Sequence, residues 1–266
     1  MRGYEALAVA YFACLAAAAP WTPVPRRRRL EVLLAALAMA AAIVAVVAMA
    51  PREGAPHFHD ALRAWAPLVY LVAGYWLPAL LAGNPVHPTR FEQWLQRTDA
   101  VLRPAAPRVP RALAHVVELA YLVCYPLVPA AFAVVWIAGS PADVERFWLA
   151  VLAAGYACYA SLPWLVSRPP RLAGSQRRSR GQTPADLNVF VLGRVSHQLN
   201  TFPSGHVAVA LASAACVAPV STVAGILVGL TGVAIAFGAA AGRYHYVIDV
   251  GLGIVVAALA VTAAFT

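Results

Sequence analysis

Long apolar runs govern what this chain can become. Eight stretches, roughly residues 4–19, 30–50, 64–82, 112–138, 147–166, 206–220, 221–241 and 246–265, are almost free of charge. A helix needs about 20 apolar residues to cross the hydrocarbon layer of a bilayer. Within that layer each backbone N–H and C=O must be satisfied inside the segment, which leaves the helix as the conformation for such runs. The expectation is an all-α integral membrane protein with about eight transmembrane helices. The sixth and seventh runs are parted only by Pro219-Val220-Ser221-Thr222, which reads as a tight helical hairpin.

Composition removes the other classes. Hydrophobic residues make up 62% of the chain and charged ones 12%, whereas soluble domains carry about 25% charged residues. The net charge of +9 rests on arginine alone, with no lysine anywhere. No soluble basic domain is present to hold it, which argues against nucleic acid as a partner. Arginines at a membrane edge suit anionic head groups or phosphorylated substrates instead. Cys14, Cys124, Cys158 and Cys216 all fall inside apolar runs without metal-ligand spacing, and read as small buried hydrophobes.

Residues 1–19 also resemble a signal peptide. Pro20 after the would-be cleavage site and Arg26-Arg27-Arg28-Arg29 beyond it favour a span. One set of loops holds Arg26 to Arg29, Arg90, Arg97, Arg103, Arg108, Arg111, Arg168, Arg171, Arg177, Arg178, Arg180, Arg194 and Arg243. The opposite set holds only Arg2, Arg52, Arg63 and Arg146. The positive-inside rule assigns the first set to the cytoplasm. Between the spans, Phe91-Glu92-Gln93-Trp94-Leu95 forms a short amphipathic piece suited to the membrane interface.

A polar knot, Asn200-Thr201-Phe202-Pro203-Ser204-Gly205-His206, opens the sixth run. By itself it is equally a turn and a helix cap. A second element, "AGRYHYVIDVGLG" at 241–253, sets His245 and Asp249 four residues apart on one helix face. An ionisable pair at the start of a membrane helix is costly without a function; a structural His–Asp tie is the alternative. His206 and His245 are 39 residues apart. That is about 58 Å of helix at roughly 1.5 Å per residue, close to two crossings of about 30 Å. The hairpin therefore returns both histidines to one face.

The third element, "SRPPRLAG" at 167–174, brings Arg168 and Arg171 to that face beside Arg243. Their planar guanidinium forks suit phosphate oxygens, although each alone also fits a snorkelling arginine. One histidine, its tautomer held by a carboxylate, can attack phosphorus. A second can protonate the departing oxygen. Arginines and backbone N–H groups such as that of Gly205 can hold the negative oxygens. No carboxylate cluster suits magnesium, so the chemistry is expected to need neither metal nor cofactor. In the fourth run His115, Glu118, Tyr121 and Tyr125 share a face. Glu118 with Tyr121 and Tyr125 is a candidate contact for an alcohol acceptor or head group, or else an internal helix tie.

"PSGH" at 203–206 and "RYHYVID" at 243–249, with "RPPR" at 168–171, resemble the type 2 phosphatidic acid phosphatase superfamily, most closely its inositolphosphotransferase-like branch. The resemblance implies a six-helix membrane domain over 64–266, preceded by a two-helix extension over 1–63. It implies His245 as the nucleophile forming a phosphohistidine, Asp249 as its orienting partner and His206 as the general acid. Arg168, Arg171 and Arg243 would bind phosphate, assisted by Ser204 and Gly205. The implied substrate is a phosphorylated lipid in a prokaryotic plasma membrane, with water or a second hydroxyl as acceptor. The sequence departs from the phosphatase pattern at two positions: Ser161 stands where a lysine is expected, and Ala239 where an arginine is expected.

A catalytically silent scaffold or lipid carrier is a second class, and a vanadium haloperoxidase a third that the apolar runs disfavour. Family habit puts the site outside the cell, against the arginine count. Because several of the counted arginines have binding roles, the extracytoplasmic side is the expectation.

Overall fold

A computed structural model describes residues 1–49, 56–83, 87–103, 119, 121–173 and 196–266. The described residues are helical, with no strand among them. The helices are α1 (Gly3–Ala18), α2 (Arg26–Ala48), α3 (Pro56–Trp65), α4 (Pro67–Leu81), α5 (Arg90–Leu102) and α6 (Cys124–Ala138). They continue with α7 (Pro141–Tyr159), the single turn α8 (Pro170–Ala173), α9 (Gly205–Val217), α10 (Thr222–Ala241) and α11 (Val247–Phe265).

Among the described residues five helical segments are long and apolar enough to cross a membrane: Gly3–Trp21, Arg26–Ala48, Phe58–Leu81, Thr222–Ala241 and Val247–Phe265. The expected count of about eight is not reached among the described residues. Helices α6 and α9 are apolar but shorter, and the run predicted over 112–138 begins among residues that are not described. The first two turns of α7 carry Asp143, Glu145 and Arg146, which shortens its apolar stretch.

Packing explains why these runs settle as they do. Helix α7 lies at the centre, against α1, α4, α6, α9 and α11. Phe147, Trp148, Val151, Leu152 and Cys158 on it are all buried. Ser140 starts it as an N-cap, its hydroxyl accepting from the Asp143 N–H. Helix α1 belongs to the same buried cluster through Tyr4, Ala8 and Phe12. Tyr11 on it stacks on Tyr156 of α7, the rings 3.8 Å apart. Glu5, buried, is held by Arg63 through hydrogen bonds of 2.8 and 2.6 Å, and the Gly3 N–H donates to Glu145 of α7 at 2.8 Å, so α1 is tied into the bundle. Leu30, Leu34 and Leu37 of α2 and Leu227, Leu230 and Val233 of α10 face outward, as lipid-facing positions should. Three of the four cysteines are at least partly buried; Cys14 instead lies on the outer face of α1.

The hairpin is present. Helix α9 ends at Val217, and Ser221 caps α10 by accepting from the Ala224 N–H. The two helices pack along each other, which brings Gly205 and Ala241 to the same end of the bundle.

Candidate active site

Three chain segments meet at that end: 166–171 after α7, 200–206 leading into α9, and 240–249 between α10 and α11. Their junction is polar and buried. The Ser204 N–H donates to the Asp249 carbonyl (3.0 Å), and the Asn200 N–H to the Ser167 carbonyl (2.8 Å). The Asn200 amide donates to Asp249 Oδ2 at 2.8 Å and to Ser167 Oγ at 3.3 Å. Small residues allow the approach. A Cβ on Gly205 would overlap the Tyr159 ring, and one on Gly253 would stand 2.8 Å from the Ser204 carbonyl oxygen.

The two histidines face each other, with ring centroids 6.0 Å apart. Asp249 is fully buried, and its Oδ2 accepts from the Tyr246 N–H (3.0 Å) and stands 3.5 Å from His245 Nδ1. That separation is long for a formed hydrogen bond, and such contacts often tighten only around substrate. His206 is ringed by Tyr121, Tyr125 and Tyr75, at 5.4, 5.8 and 6.4 Å between centroids. The Tyr125 hydroxyl and Ser204 Oγ are buried with no hydrogen-bond partner among the described residues. Both are therefore poised for a ligand atom. The Gly205 N–H is engaged by Thr201 Oγ1 at 3.2 Å, so it is not directed at the histidines. Glu118 and His115 lie outside the described residues.

The predicted arginines divide. Arg171 shares a narrow cleft of about 20 Å³ with His206, His245, Tyr121 and Thr201. Its guanidinium lies 4.1 Å over the Tyr244 ring, which in turn stacks on Tyr121 at 4.0 Å. So small a space holds about one water, and a phosphate must widen it. Arg243 lines a separate open cavity of about 360 Å³ with Gln96, Asp99, Arg103 and Tyr246. Its own backbone is left-handed, φ 57°, and its carbonyl accepts from the Arg171 N–H at 3.1 Å. Arg168 lines neither space and is paired with Glu92, at 2.9 Å.

Ser161, in the position expected for lysine, donates to the Phe202 carbonyl at 2.6 Å and so ties α7 to the loop before His206. Ala239, at the other departure, accepts at its carbonyl from both the Tyr244 and His245 N–H groups. Sequence reasoning passed over Asn200, Glu92, Asp99 and His197. Asn200 stood in the quoted knot and was readable as its polar member. His197 stacks on Tyr75, centroids 4.2 Å apart, and burial pushes its imidazole down to about 4. It is neutral at pH 7.

A second space reaches His206 from the apolar side. This cavity, about 580 Å³, is walled by Leu68, Leu71 and Val72 of α4, Val128 of α6, Tyr159 and Val209. Val72 is 58% exposed on the outer surface of the bundle. Among the described residues no group of three or more His, Cys, Asp or Glu side chains is disposed to hold a metal ion. Comparison of the chain with protein-family models, with curated proteins and with solved structures finds no match in any of the three.

Proposed function

We propose that this protein is an integral-membrane lipid phosphatase or phosphotransferase that works through a phosphohistidine. In this reading it is built as a six-helix core over 64–266 with a two-helix extension, in a prokaryotic plasma membrane. One observation carries the reading: His206 borders both the polar cleft of His245 and Arg171 and the apolar cavity between α4 and α6. A phosphate ester with a hydrocarbon chain has the same two halves, and its bridging oxygen belongs at their junction.

The chemistry follows from those positions. His245 attacks phosphorus, forming a N–P bond as the bond to the lipid oxygen breaks, while His206 gives its proton to that oxygen. Asp249 holds the His245 tautomer and stabilises the positive charge that builds on the ring. Arg171 balances the charge on the phosphoryl oxygens. In the second half, water or an alcohol attacks phosphorus, His206 takes up its proton, and the N–P bond breaks. The apolar cavity beside His206 also favours a chain-bearing alcohol as acceptor, the transferase version of the same reaction.

The test is a lipid-phosphate substrate with the detergent-purified protein, with and without an added alcohol, following free phosphate and transfer product together. His245→Ala should abolish both. Turnover retained in that variant would remove the nucleophile assignment. A silent scaffold would show neither turnover nor thermal stabilisation by orthovanadate, a trigonal-bipyramidal phosphate mimic.

A further inference from the structure

One element outside all the motifs touches each of the three segments that carry them. Helix α5 is capped by Thr89, whose hydroxyl accepts from the Glu92 N–H (3.0 Å) and donates to the Val166 carbonyl (2.8 Å). Phe91 and Trp94 pack edge-on against Phe202 of the loop before His206, centroids 5.1 and 6.2 Å away. Asp99 Oδ1 accepts from the Val247 N–H at 2.9 Å, at the start of α11, and Arg103 donates to the Ala240 carbonyl at 2.5 Å. Between them, Glu92 Oε1 accepts from Arg168 Nη2 at 2.9 Å and Nε at 3.1 Å, and its Oε2 from the Arg168 N–H at 3.3 Å.

Burial makes this pair asymmetric. The Glu92 side chain is 0% exposed and that of Arg168 33%. Among the described residues Arg168 is the cation paired with Glu92, and the other donor to that carboxylate, Gln96, is neutral and 3.4 Å away. A phosphate that drew Arg168 off would strand a buried carboxylate, which is costly. Arg168 is also fixed by its carbonyl, which accepts from the Tyr246 hydroxyl at 3.2 Å. Three residues on, the Arg171 N–H is held by the Arg243 carbonyl. The segment from 168 to 171 is thus pinned at both ends, with the Arg171 side chain in the histidine cleft.

We infer that Glu92 is a positioning residue: through its ion pair with Arg168 it fixes the 168–171 segment so that Arg171, and not Arg168, meets the substrate phosphate. This rests on the phosphoryl-transfer reading above. It assigns Arg168 a role opposite to the one the motif resemblance implies.

A double-mutant cycle tests it. The wild type, Glu92→Gln, Arg168→Gln and the double variant are purified in detergent. Each is measured for orthovanadate affinity well below its melting temperature, and for kcat and KM on a short-chain lipid phosphate. Positioning requires the two single variants to weaken orthovanadate by a similar factor, about tenfold, and the double variant to be no weaker than either. The charge swap Glu92→Arg with Arg168→Glu should recover part of the affinity, which a general loss of stability would not do. Three results would overturn it: Arg168→Gln at least about tenfold weaker than Glu92→Gln, single losses that multiply in the double variant, or tighter binding in Glu92→Gln. Should the glutamine variants not purify folded, Glu92→Asp and Arg168→Lys keep the charges but lose the two-pronged geometry. Equal losses in those two support the proposal, and a loss confined to Arg168→Lys overturns it. A wild type that neither binds orthovanadate nor turns over lipid phosphate overturns the phosphoryl-transfer reading and this role with it. An active wild type with uncoupled variants overturns the positioning role alone.

Discussion

Arg171 and Arg243 both approach the histidines along the chain, yet only Arg171 enters their cleft. Its guanidinium is backed by the Tyr244 ring, an arrangement that holds the charge in place beside the histidines. Arg243 acts here through its carbonyl, which holds the Arg171 N–H, and glutamine at that position keeps the carbonyl. Arg171→Gln should therefore lower kcat/KM on a lipid phosphate by about a hundredfold, the scale of losing one charge-bearing donor to the transition state. Arg243→Gln should cost less than about tenfold in the same assay. Equal losses would return Arg243 to the phosphate. The approach of His206 and His245 was legible in the sequence, since 39 residues of apolar chain fix a there-and-back path by length alone. The division among the arginines was not legible. Which guanidinium reaches a cleft depends on carboxylates contributed by a distant helix, and Glu92 precedes Arg168 by 76 residues.

At the scale of elements, α5 was readable as a short amphipathic helix from Phe91 and Trp94, and Trp94 is exposed on it. Its inward face, with Glu92, Leu95 and Asp99 buried, could have been recognised by its spacing, though not its partners. The apolar cavity belongs to no single element. It arises where α4 and α6 stand beside α9, and no periodicity in one helix announces a gap between two. If that gap receives the hydrocarbon chain, narrowing its outer edge should act on chain length and leave the chemistry alone. Val72 lines the cavity and faces outward, so Val72→Trp adds bulk there without overpacking the core. It should reduce turnover of long-chain lipid phosphate by about tenfold or more, equivalent to roughly 1.4 kcal/mol of transition-state stabilisation. Turnover of a short-chain phosphate ester should change little. Equal loss on both substrates would mean that the chain lies elsewhere.

For the whole molecule the open matter is orientation, and the folded arrangement changes the weight of the arginine count. The argument for setting that count aside was that arginines on the site face serve as ligands. Yet Arg26, Arg27, Arg28, Arg90 and Arg97 are exposed and line none of the spaces around the histidines. Helix α1 runs alongside α7, with Gly3 hydrogen-bonded to Glu145 and Tyr11 stacked on Tyr156. Its far end, with the arginines that follow, therefore lies toward the end of the bundle that holds the site. Among the described residues the opposite end presents Arg2, Arg63 and Arg146. Arg63 is consumed by Glu5, and Arg146 lies 5.4 Å over the Phe265 ring and 3.5 Å from Asp143. Among the described residues the exposed arginines of α2 and α5 thus lie on the site face, Arg27 paired there with Glu31, and the positive-inside rule weighs toward that face. This distribution of the arginines predicts a site facing the cytoplasm, where family habit suggests the outside. A cysteine introduced at Gln93, exposed on α5, should be shielded from an impermeant thiol reagent in intact cells and labelled once the membrane is permeabilised. Labelling in intact cells would put the site outside, and the arginines of α2 and α5 would then need anionic partners on that surface.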